Sequence, residues 1–264
     1  MKKNTFIIVV ILGLFSDTAL GQKLFIRVGA GYAFPAGSQR IGTSQKDPNI
    51  NTNVSGSYGA GFNGEIGIGY NAYQNIAVGL DISYLVGQKI SILDDRGNDK
   101  FKLQTYGQML AFTPNLVLSV PLGKVKAYAK TGLLVALPST ITSVVGTAGA
   151  IFEDETKRLA VLTLGLKGAL GVNYTVNPRI GLFLEIAYIS MTFRPQREIT
   201  LKYTENGVDR LPNLTIKARE KEFVNEIDRD AAPSSPNTLP EKLLQPVLPF
   251  SSIGLNFGVV ISLK

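Results

Sequence analysis

Residues 252–264 alternate between large apolar residues and small or polar residues over almost the whole segment. One set of alternate positions is entirely apolar, and the other is small or polar except at Val260. The apolar set consists of Ile253, Leu255, Phe257, Val259, Ile261 and Leu263. Because successive side chains of a β-strand point to opposite faces, a period of two over this length predicts an extended strand.

The two faces of this predicted strand suit a membrane better than water. No aromatic-rich partner sheet is evident for the apolar face, and the other face is too rich in glycine for an ordinary solvent face. Strands of transmembrane β-barrels place large apolar residues toward lipid and small or polar residues toward the lumen. We therefore interpret this segment as the closing strand of a transmembrane β-barrel.

The same alternation recurs seven times earlier in the chain. The predicted strands are 23–34, 58–70, 76–86, 103–120, 125–137, 159–176 and 180–193, with a bulge or bend expected at Pro114. Long polar connections at 35–57, 87–102, 138–158 and 194–250 alternate with short turns. This asymmetry predicts an all-β fold, an eight-stranded antiparallel up-and-down transmembrane barrel with short periplasmic turns and long extracellular loops.

Tyrosines fall near the ends of the predicted strands, as an interfacial aromatic girdle requires. They are Tyr32, Tyr58, Tyr70, Tyr84, Tyr106, Tyr174 and Tyr188.

The connection 194–250 differs from the others in length and in its density of charges of both signs. Segments 198–203 and 215–224 flank a turn signal at Asn206-Gly207, so they predict a hairpin that extends beyond the membrane. The Pro- and Ser-rich stretch 230–249 is expected to be irregular.

Residues 1–21 have the features of a signal peptide. Lys2 and Lys3 precede a short apolar run at 6–15, and small residues at Ala19 and Gly21 offer a cleavage site. The expected mature barrel domain is therefore 22–264, and the alternative is an uncleaved anchor helix. No later run is long and apolar enough for a transmembrane helix.

Composition narrows the chemistry of the chain. It contains no cysteine and no histidine, which removes disulfides, thiolate metal sites and the commonest general base. The net charge of +7 is scattered without a Lys/Arg run, so nucleic-acid binding is not expected. The G-x-G-x-x-G match at Gly59–Gly64 lies in a predicted strand and opens no helix, so neither a nucleotide nor any other cofactor is expected.

Seven charged residues occupy positions that face the predicted lumen. They are Arg27, Glu65, Asp81, Lys126, Lys130, Lys167 and Glu185. An eight-stranded barrel is just wide enough for its own side chains, so we expect these residues to form a structural salt-bridge network that fills the lumen. Five of them, all except Lys126 and Lys167, are expected at one level near the membrane midplane. No catalytic residue or metal ligand is assigned.

Three segments carry a resemblance to a known family. They are G-A-G-Y-A-F at Gly29–Phe34, K-A-Y-A-K-T-G-L-L at Lys126–Leu134, and L-P-F-S-S-I-G-L-N-F-G at Leu248–Gly258. Together they resemble outer-membrane β-barrel proteins of the Bacteroidetes type, which are similar to the OmpA/OmpX eight-stranded barrels. The resemblance implies residence in the bacterial outer membrane with both termini periplasmic, contact with outer-membrane lipid, and insertion by the barrel-assembly machinery. That machinery commonly reads a terminal aromatic residue in this family, whereas this chain ends in Leu263-Lys264.

Three functions remain open from the sequence. The first is a non-enzymatic structural or surface-interaction barrel, with a possible extracellular partner bound by the 194–250 loop. The second is a narrow channel or small-ligand passage, and the third is a soluble lipocalin-like carrier.

Overall fold

The computed structural model describes residues 24–37, 39–47, 50–95, 99–147, 150–227 and 236–263. The predicted signal peptide, residues 1–21, lies outside the described residues. The strands are β1 (Leu24–Pro35), β2 (Gln39–Asp47), β3 (Ile50–Gly56), β4 (Gly61–Tyr73), β5 (Ile76–Gly87), β6 (Ile90–Asp95), β7 (Lys100–Leu122), β8 (Val125–Thr147), β9 (Ile151–Leu159), β10 (Thr163–Asn177), β11 (Ile180–Ser190), β12 (Thr192–Phe193), β13 (Arg197–Glu205), β14 (Val208–Asp209), β15 (Glu220–Val224), β16 (Glu241–Leu244), β17 (Leu248–Pro249) and β18 (Ser252–Ser262). The described residues also form a 3-10 helix (Leu211–Asn213) and one α-helical turn, α1 (Ile216–Arg219).

Eight of these strands close into an antiparallel barrel in the order β1, β4, β5, β7, β8, β10, β11 and β18. The barrel closes because β18 pairs with β1, where Phe25 lies opposite Ser262. The described part of the chain thus forms the predicted eight-stranded up-and-down barrel. Connections of two residues at 74–75, 123–124 and 178–179 define its short-turn end, and the long connections define its loop end. Among the described residues, no helix is long and apolar enough to cross a membrane.

The alternation of the strands separates an apolar exterior from a small and polar interior. Every barrel strand exposes at least one large apolar side chain to the outside, as illustrated by Val28, Ile66, Leu80, Leu116, Leu133, Leu170, Leu184 and Leu255. A continuous apolar surface of this kind is not the surface of an ordinary soluble monomer, whose apolar patches cover only a few hundred Å². The barrel wall therefore faces apolar surroundings.

Three of the long connections contain strands, so the prediction that they are loops is wrong. In the first connection β2 pairs with β3, and in the second β6 pairs with β7. The strand β8 runs past Pro138 to Thr147 and pairs with β9. These additions stand beyond the barrel. β2 and β3 are mostly polar, and the apolar residues of β6, which include Ile90 and Ile92, are too few to give the long apolar period on which the sequence argument depended.

The 194–250 connection builds on this rim. The predicted strand after Arg194 is present as β13, which pairs with β9 and turns at Asn206 and Gly207, both with positive φ. The expectation of a strand from Thr215 is wrong for its first part, because Thr215 instead caps α1 by accepting a hydrogen bond from the Ala218 amide. The strand there is β15, which pairs with β13.

The stretch 230–249 also departs from its prediction. Residues 228–235 lie outside the described residues, but β16 forms a parallel pair with β15 and β17 pairs with β12. These four strands, β9, β13, β15 and β16, make a sheet that extends from β8. We call this sheet the loop-end extension.

The expected bulge at Pro114 is absent. Pairing between β7 and β8 is interrupted at Thr113 and Pro114, but the register is the same on both sides of the gap. On the other side β5 pairs continuously, with Leu80 opposite Pro114. Because proline lacks an N–H, it leaves one ladder position unbonded and here does not shift the strand.

An aromatic cluster covers the loop end of the lumen. The ring of Phe250 lies 6.0 Å from Tyr58 and 5.6 Å from Phe193, measured between centroids. We call these three residues the aromatic plug. They pack on inward-facing residues that include Leu85, Met109 and Leu134. Tyr58 is therefore buried, and its assignment to the interfacial girdle is wrong, whereas Tyr84, Tyr174 and Tyr188 are exposed on the outer wall.

Candidate functional site

The structure brings six of the seven predicted lumen charges into one buried network. Three cations, Arg27, Lys130 and Lys167, face three carboxylates, Glu65, Asp81 and Glu185. No more than 8 % of any of these side chains is exposed. The formal charges balance, so the network is neutral as a whole. We call these six residues the charge layer.

Lys130 is the centre of the charge layer. Its Nζ lies 3.0 Å from a Glu65 oxygen, 3.0 Å from an Asp81 oxygen and 3.5 Å from a Glu185 oxygen. The first two contacts are hydrogen bonds that the ammonium donates. Lys167 donates to the second oxygen of Glu65, so that carboxylate bridges two ammonium groups. One lysine thus joins carboxylates carried by three different strands.

Arg27 completes the charge layer on the side of β11. Its guanidinium donates to Glu185 at 2.8 Å and to the Tyr128 hydroxyl at 3.0 Å, and Tyr128 in turn donates to Glu185 at 2.8 Å. Asn256 donates to the other Glu185 oxygen at 3.3 Å. These contacts satisfy both oxygens of a carboxylate that is almost completely buried, which is the condition for holding such a charge in a low-dielectric interior.

Glycine spacing makes room for these side chains. Gly67 lies opposite both Arg27 and Asp81 in the strand ladders, and a Cβ there would be 2.2 Å from Asp81 Oδ1. Gly171 lies opposite Glu185, and its Cβ would be 2.5 Å from the Tyr128 ring. The glycine-rich lumen face that the sequence shows is therefore the space that the charged and aromatic side chains occupy.

The lumen is filled on both sides of the charge layer to different extents. Toward the loop end, the cavity beside Glu65 and Asn256 measures about 20 Å³, room for about one water molecule, and the aromatic plug lies beyond it. Toward the short-turn end, a cavity of about 120 Å³ opens beside Arg27 and Tyr128. The charge layer thus lies between these two cavities.

Lys126 does not join the charge layer. It lines the cavity at the short-turn end, four residues before Lys130 on the same face of β8. No carboxylate of the described residues forms an ion pair with it. The prediction that all seven charges form one network is therefore wrong at this residue.

Sequence reasoning missed three residues that complete the charge layer: Tyr128, Phe183 and Asn256. Each faces the lumen by its position in the alternation, and that alternation was the available signal. They were not assigned because an uncharged side chain gave no reason to expect a contact with a buried ion.

The charge layer offers little chemistry beyond electrostatic balance. Each of its carboxylates is bonded to a cation, so none stands ready as a general base. The described residues contain no group of three or more histidine, cysteine, aspartate or glutamate side chains that could hold a metal ion.

A second cluster of charges lies outside the barrel, in the loop-end extension. Glu198 accepts from Arg158 at 2.5 Å and from Lys221 at 2.7 Å. Burial alone would raise the pKa of Glu198, but these two bonds outweigh it and lower that pKa. Burial raises the pKa of nearby Asp154 despite the attraction of Lys221, and one Asp154 oxygen has no hydrogen-bond partner.

No protein-family model and no curated protein matches the chain. Among solved structures it is similar to Neisserial surface protein A, at 15% identity and a TM-score of 0.40, over 90% of this chain and 96% of that chain. It is also similar to the outer membrane protease OmpT from Escherichia coli, at 8% identity and a TM-score of 0.33, over 94% and 99%. A third is Acinetobacter baumannii CarO2, at 11% identity and a TM-score of 0.29, over 89% and 99%.

Proposed function

We propose that this protein is a non-enzymatic outer-membrane barrel with a sealed lumen that carries a strand-rich platform for surface interactions. The observation that carries the proposal is the neutral, buried charge layer centred on Lys130, which occupies the lumen where a channel would need water. The aromatic plug provides a second seal at the loop end.

The membrane location is supported by the outer wall. Large apolar side chains surround the barrel on all eight strands, and exposed tyrosines lie near strand ends at both rims. Such a wall favours outer-membrane lipid as its partner and disfavours the soluble carrier. The narrower resemblance to Bacteroidetes-type barrels rests on the three sequence segments alone.

We infer the orientation from the lengths of the connections. Outer-membrane barrels have short periplasmic turns and longer extracellular loops, so the short-turn end belongs in the periplasm together with both chain termini. The Leu263 amide bonds to the Leu24 carbonyl at 2.9 Å at that end. Entry through a cleaved signal peptide at 1–21 and insertion by the barrel-assembly machinery complete this proposal.

The interaction role is assigned to the loop-end extension. This sheet stands outside the proposed membrane zone and ends in β16, a short edge strand that pairs on one side only with the strands of the described residues. Its partner would be extracellular, and the segment 194–250 supplies most of the surface. Enzymatic activity is not proposed, because the chain has no histidine or cysteine and its lumen carboxylates are all paired.

Three measurements test the proposal. Purified protein in planar bilayers should give no steady current, whereas a stable nanosiemens-scale conductance would favour the channel. Protease added to intact cells should cut within 194–250 and leave the barrel, and cleavage confined to the short turns would reverse the orientation. N-terminal sequencing of the membrane-extracted protein should begin near Gln22, and an intact Met1 would contradict a cleaved signal peptide.

A further inference from the structure

The cavity at the short-turn end has an unusual distribution of charge. It is about 120 Å³ in volume and is lined by two cations, Arg27 and Lys126. No aspartate or glutamate of the described residues lines it. The charge layer beneath it is neutral without Lys126, so the Lys126 ammonium is a positive charge in excess at the mouth of a lumen that is otherwise balanced.

Polar groups with unused hydrogen-bonding capacity surround this charge. The Nε of Arg27 is buried and has no hydrogen-bond partner, in a side chain that is more than nine-tenths buried. The amide of Asn173 also lines the cavity, and its oxygen has no partner, so the amide is not fixed by a bond through that atom. Asn71 also lines the cavity, as does Ser119, whose hydroxyl donates to the Asn75 carbonyl at 3.3 Å. Buried polar groups in folded proteins are usually satisfied, so the unpartnered Nε donor of Arg27 and the unpartnered Asn173 oxygen in one cavity indicate a polar ligand.

The remaining wall is apolar. Phe25, Val117 and Val260 line the cavity beside the polar groups. Gly69 leaves room for the Phe25 ring, because a Cβ at that position would be 2.2 Å from the ring. A site with cationic donors on one side and apolar side chains on the other suits a molecule with an anionic head and a short hydrocarbon tail.

We infer that this cavity is a binding site for a small carboxylate, with Lys126 as the main contact to the carboxylate head and Phe25, Val117 and Val260 as contacts to the tail. An apolar cavity of roughly 150 Å³ holds benzene, so about 120 Å³ suits a slightly smaller ligand such as propionate or butyrate. This site goes beyond the proposed function, since a sealed platform requires no ligand at its periplasmic end.

The test uses isotope-labelled full-length protein folded in a zwitterionic detergent. Sodium propionate is titrated at constant sodium concentration against sodium chloride, and the backbone amide signals of Lys126 and Asn173 are followed by NMR. Saturable shifts at these amides are expected. Removing a charged hydrogen-bond partner with Lys126→Met should weaken binding about tenfold or more, whereas Lys126→Arg should retain most of the affinity.

Lys124→Met is the matched control, because Lys124 lies in the adjacent short turn and is exposed. It should bind propionate as the wild type does, and heat-modifiable gel mobility verifies that each variant is folded. Should Lys126→Met fail to fold, Lys126→Gln serves in its place.

Three outcomes would overturn the inference. The first is a linear response without saturation, and the second is equal weakening by Lys124→Met and Lys126→Met. The third is binding of inorganic phosphate or chloride as tight as that of propionate, because the apolar wall would then have no part in recognition. Propionate binding tighter than acetate would support the assigned role of the tail. These readouts are independent of membrane location and conductance, so they can fail while the sealed-barrel proposal stands.

Discussion

The guanidinium carbon of Arg27 lies 4.1 Å from the centroid of the Phe183 ring, so one face of this buried cation is covered by an aromatic ring. The edge of the same guanidinium is bonded to Glu185 and Tyr128. Phe183 fits beside it because two glycines, Gly29 and Gly258, leave the ring's space free. The charge layer is thus held by packing as well as by ion pairs, which yields predictions for both.

Replacing Lys130 with methionine should destabilise the barrel by about 3–5 kcal/mol, because three carboxylates lose their shared cation. The unfolding midpoint in denaturant and heat-modifiable gel mobility measure the loss. Lys124→Met removes an exposed lysine from the turn that precedes β8 and should have little effect. An unchanged midpoint in Lys130→Met would mean that water already hydrates these carboxylates.

The double variant Lys130→Met/Asp81→Asn should lose less stability than the sum of its two single variants. It removes one charge of each sign and leaves the Arg27–Glu185 and Lys167–Glu65 pairs in place. Groups in direct contact are expected to be non-additive in this way. A double-mutant cycle by denaturant unfolding measures the difference. Strict additivity would show that the 3.0 Å contact between Lys130 and Asp81 contributes no coupling energy.

Gly258→Ala should destabilise the barrel by about 1–3 kcal/mol through overpacking. Its new Cβ would lie 2.1 Å from the Val28 carbonyl oxygen and 2.7 Å from the Phe183 ring, and the backbone contact cannot relax by rotation of a side chain. Gly64→Ala is the control, since a Cβ there meets nothing within 4 Å. Equal unfolding midpoints for the two variants would show that β1 and β18 shift to accommodate the added methyl group at little cost in stability.

Phe250→Ala should cost about 3–5 kcal/mol of stability as a buried aromatic ring is lost from the aromatic plug. It should nevertheless leave the protein non-conducting, because the charge layer still closes the lumen. Phe62→Ala, which removes an exposed ring from the outer wall, is the control for loss of a phenylalanine. Bilayer recordings decide the question, and a current in Phe250→Ala alone would show that the charge layer does not seal.

The loop-end extension should respond to pH in two opposite steps. The pKa of Asp154 is raised by burial, so its protonation on acidification stabilises the folded extension. The pKa of Glu198 is lowered by Lys221 and Arg158 against the effect of burial, so its stabilising contribution is present above the unfolded value of about 4.3 and is lost at lower pH. Stability should therefore first rise and then fall as the pH decreases from 7.

Hydrogen-exchange protection factors for the amides of β13 and β15 measure this profile, after correction for the intrinsic pH dependence of exchange. Asp154→Asn should abolish the rise, and Glu198→Gln should abolish the fall. If both variants show the same dependence of stability on pH as the wild type, other groups cause the pH response.

The barrel was predictable from sequence because one physical constraint, an apolar outside and a small inside, acts on every second residue of eight strands. The extra strands were not, since β2, β3 and β9 stand beyond the barrel and carry no such long apolar period. The alternation of side chains along each strand was enough to predict that Lys130 and Glu185 point into the lumen. Their partners could not be predicted, because pairing across a lumen depends on the stagger between distant strands, which no local pattern encodes. The position of Lys126 outside the charge layer reflects the same missing information.

The pairing of β1 with β18 has a consequence for how the chain reaches its folded state. Phe25 and Ser262 are neighbours in the ladder although almost the whole described chain separates them. Pairing β1 with β18 closes a very long loop, and the entropy of that closure is lost in one step. Every other pairing within the barrel joins two barrel strands that follow one another along the chain. Until β18 arrives, β1 and β11 both present unpaired edges, which are sites for association with other chains. A chain truncated before β18 should therefore accumulate as an aggregate rather than as a smaller barrel, and the timing of this last pairing governs the yield of folding.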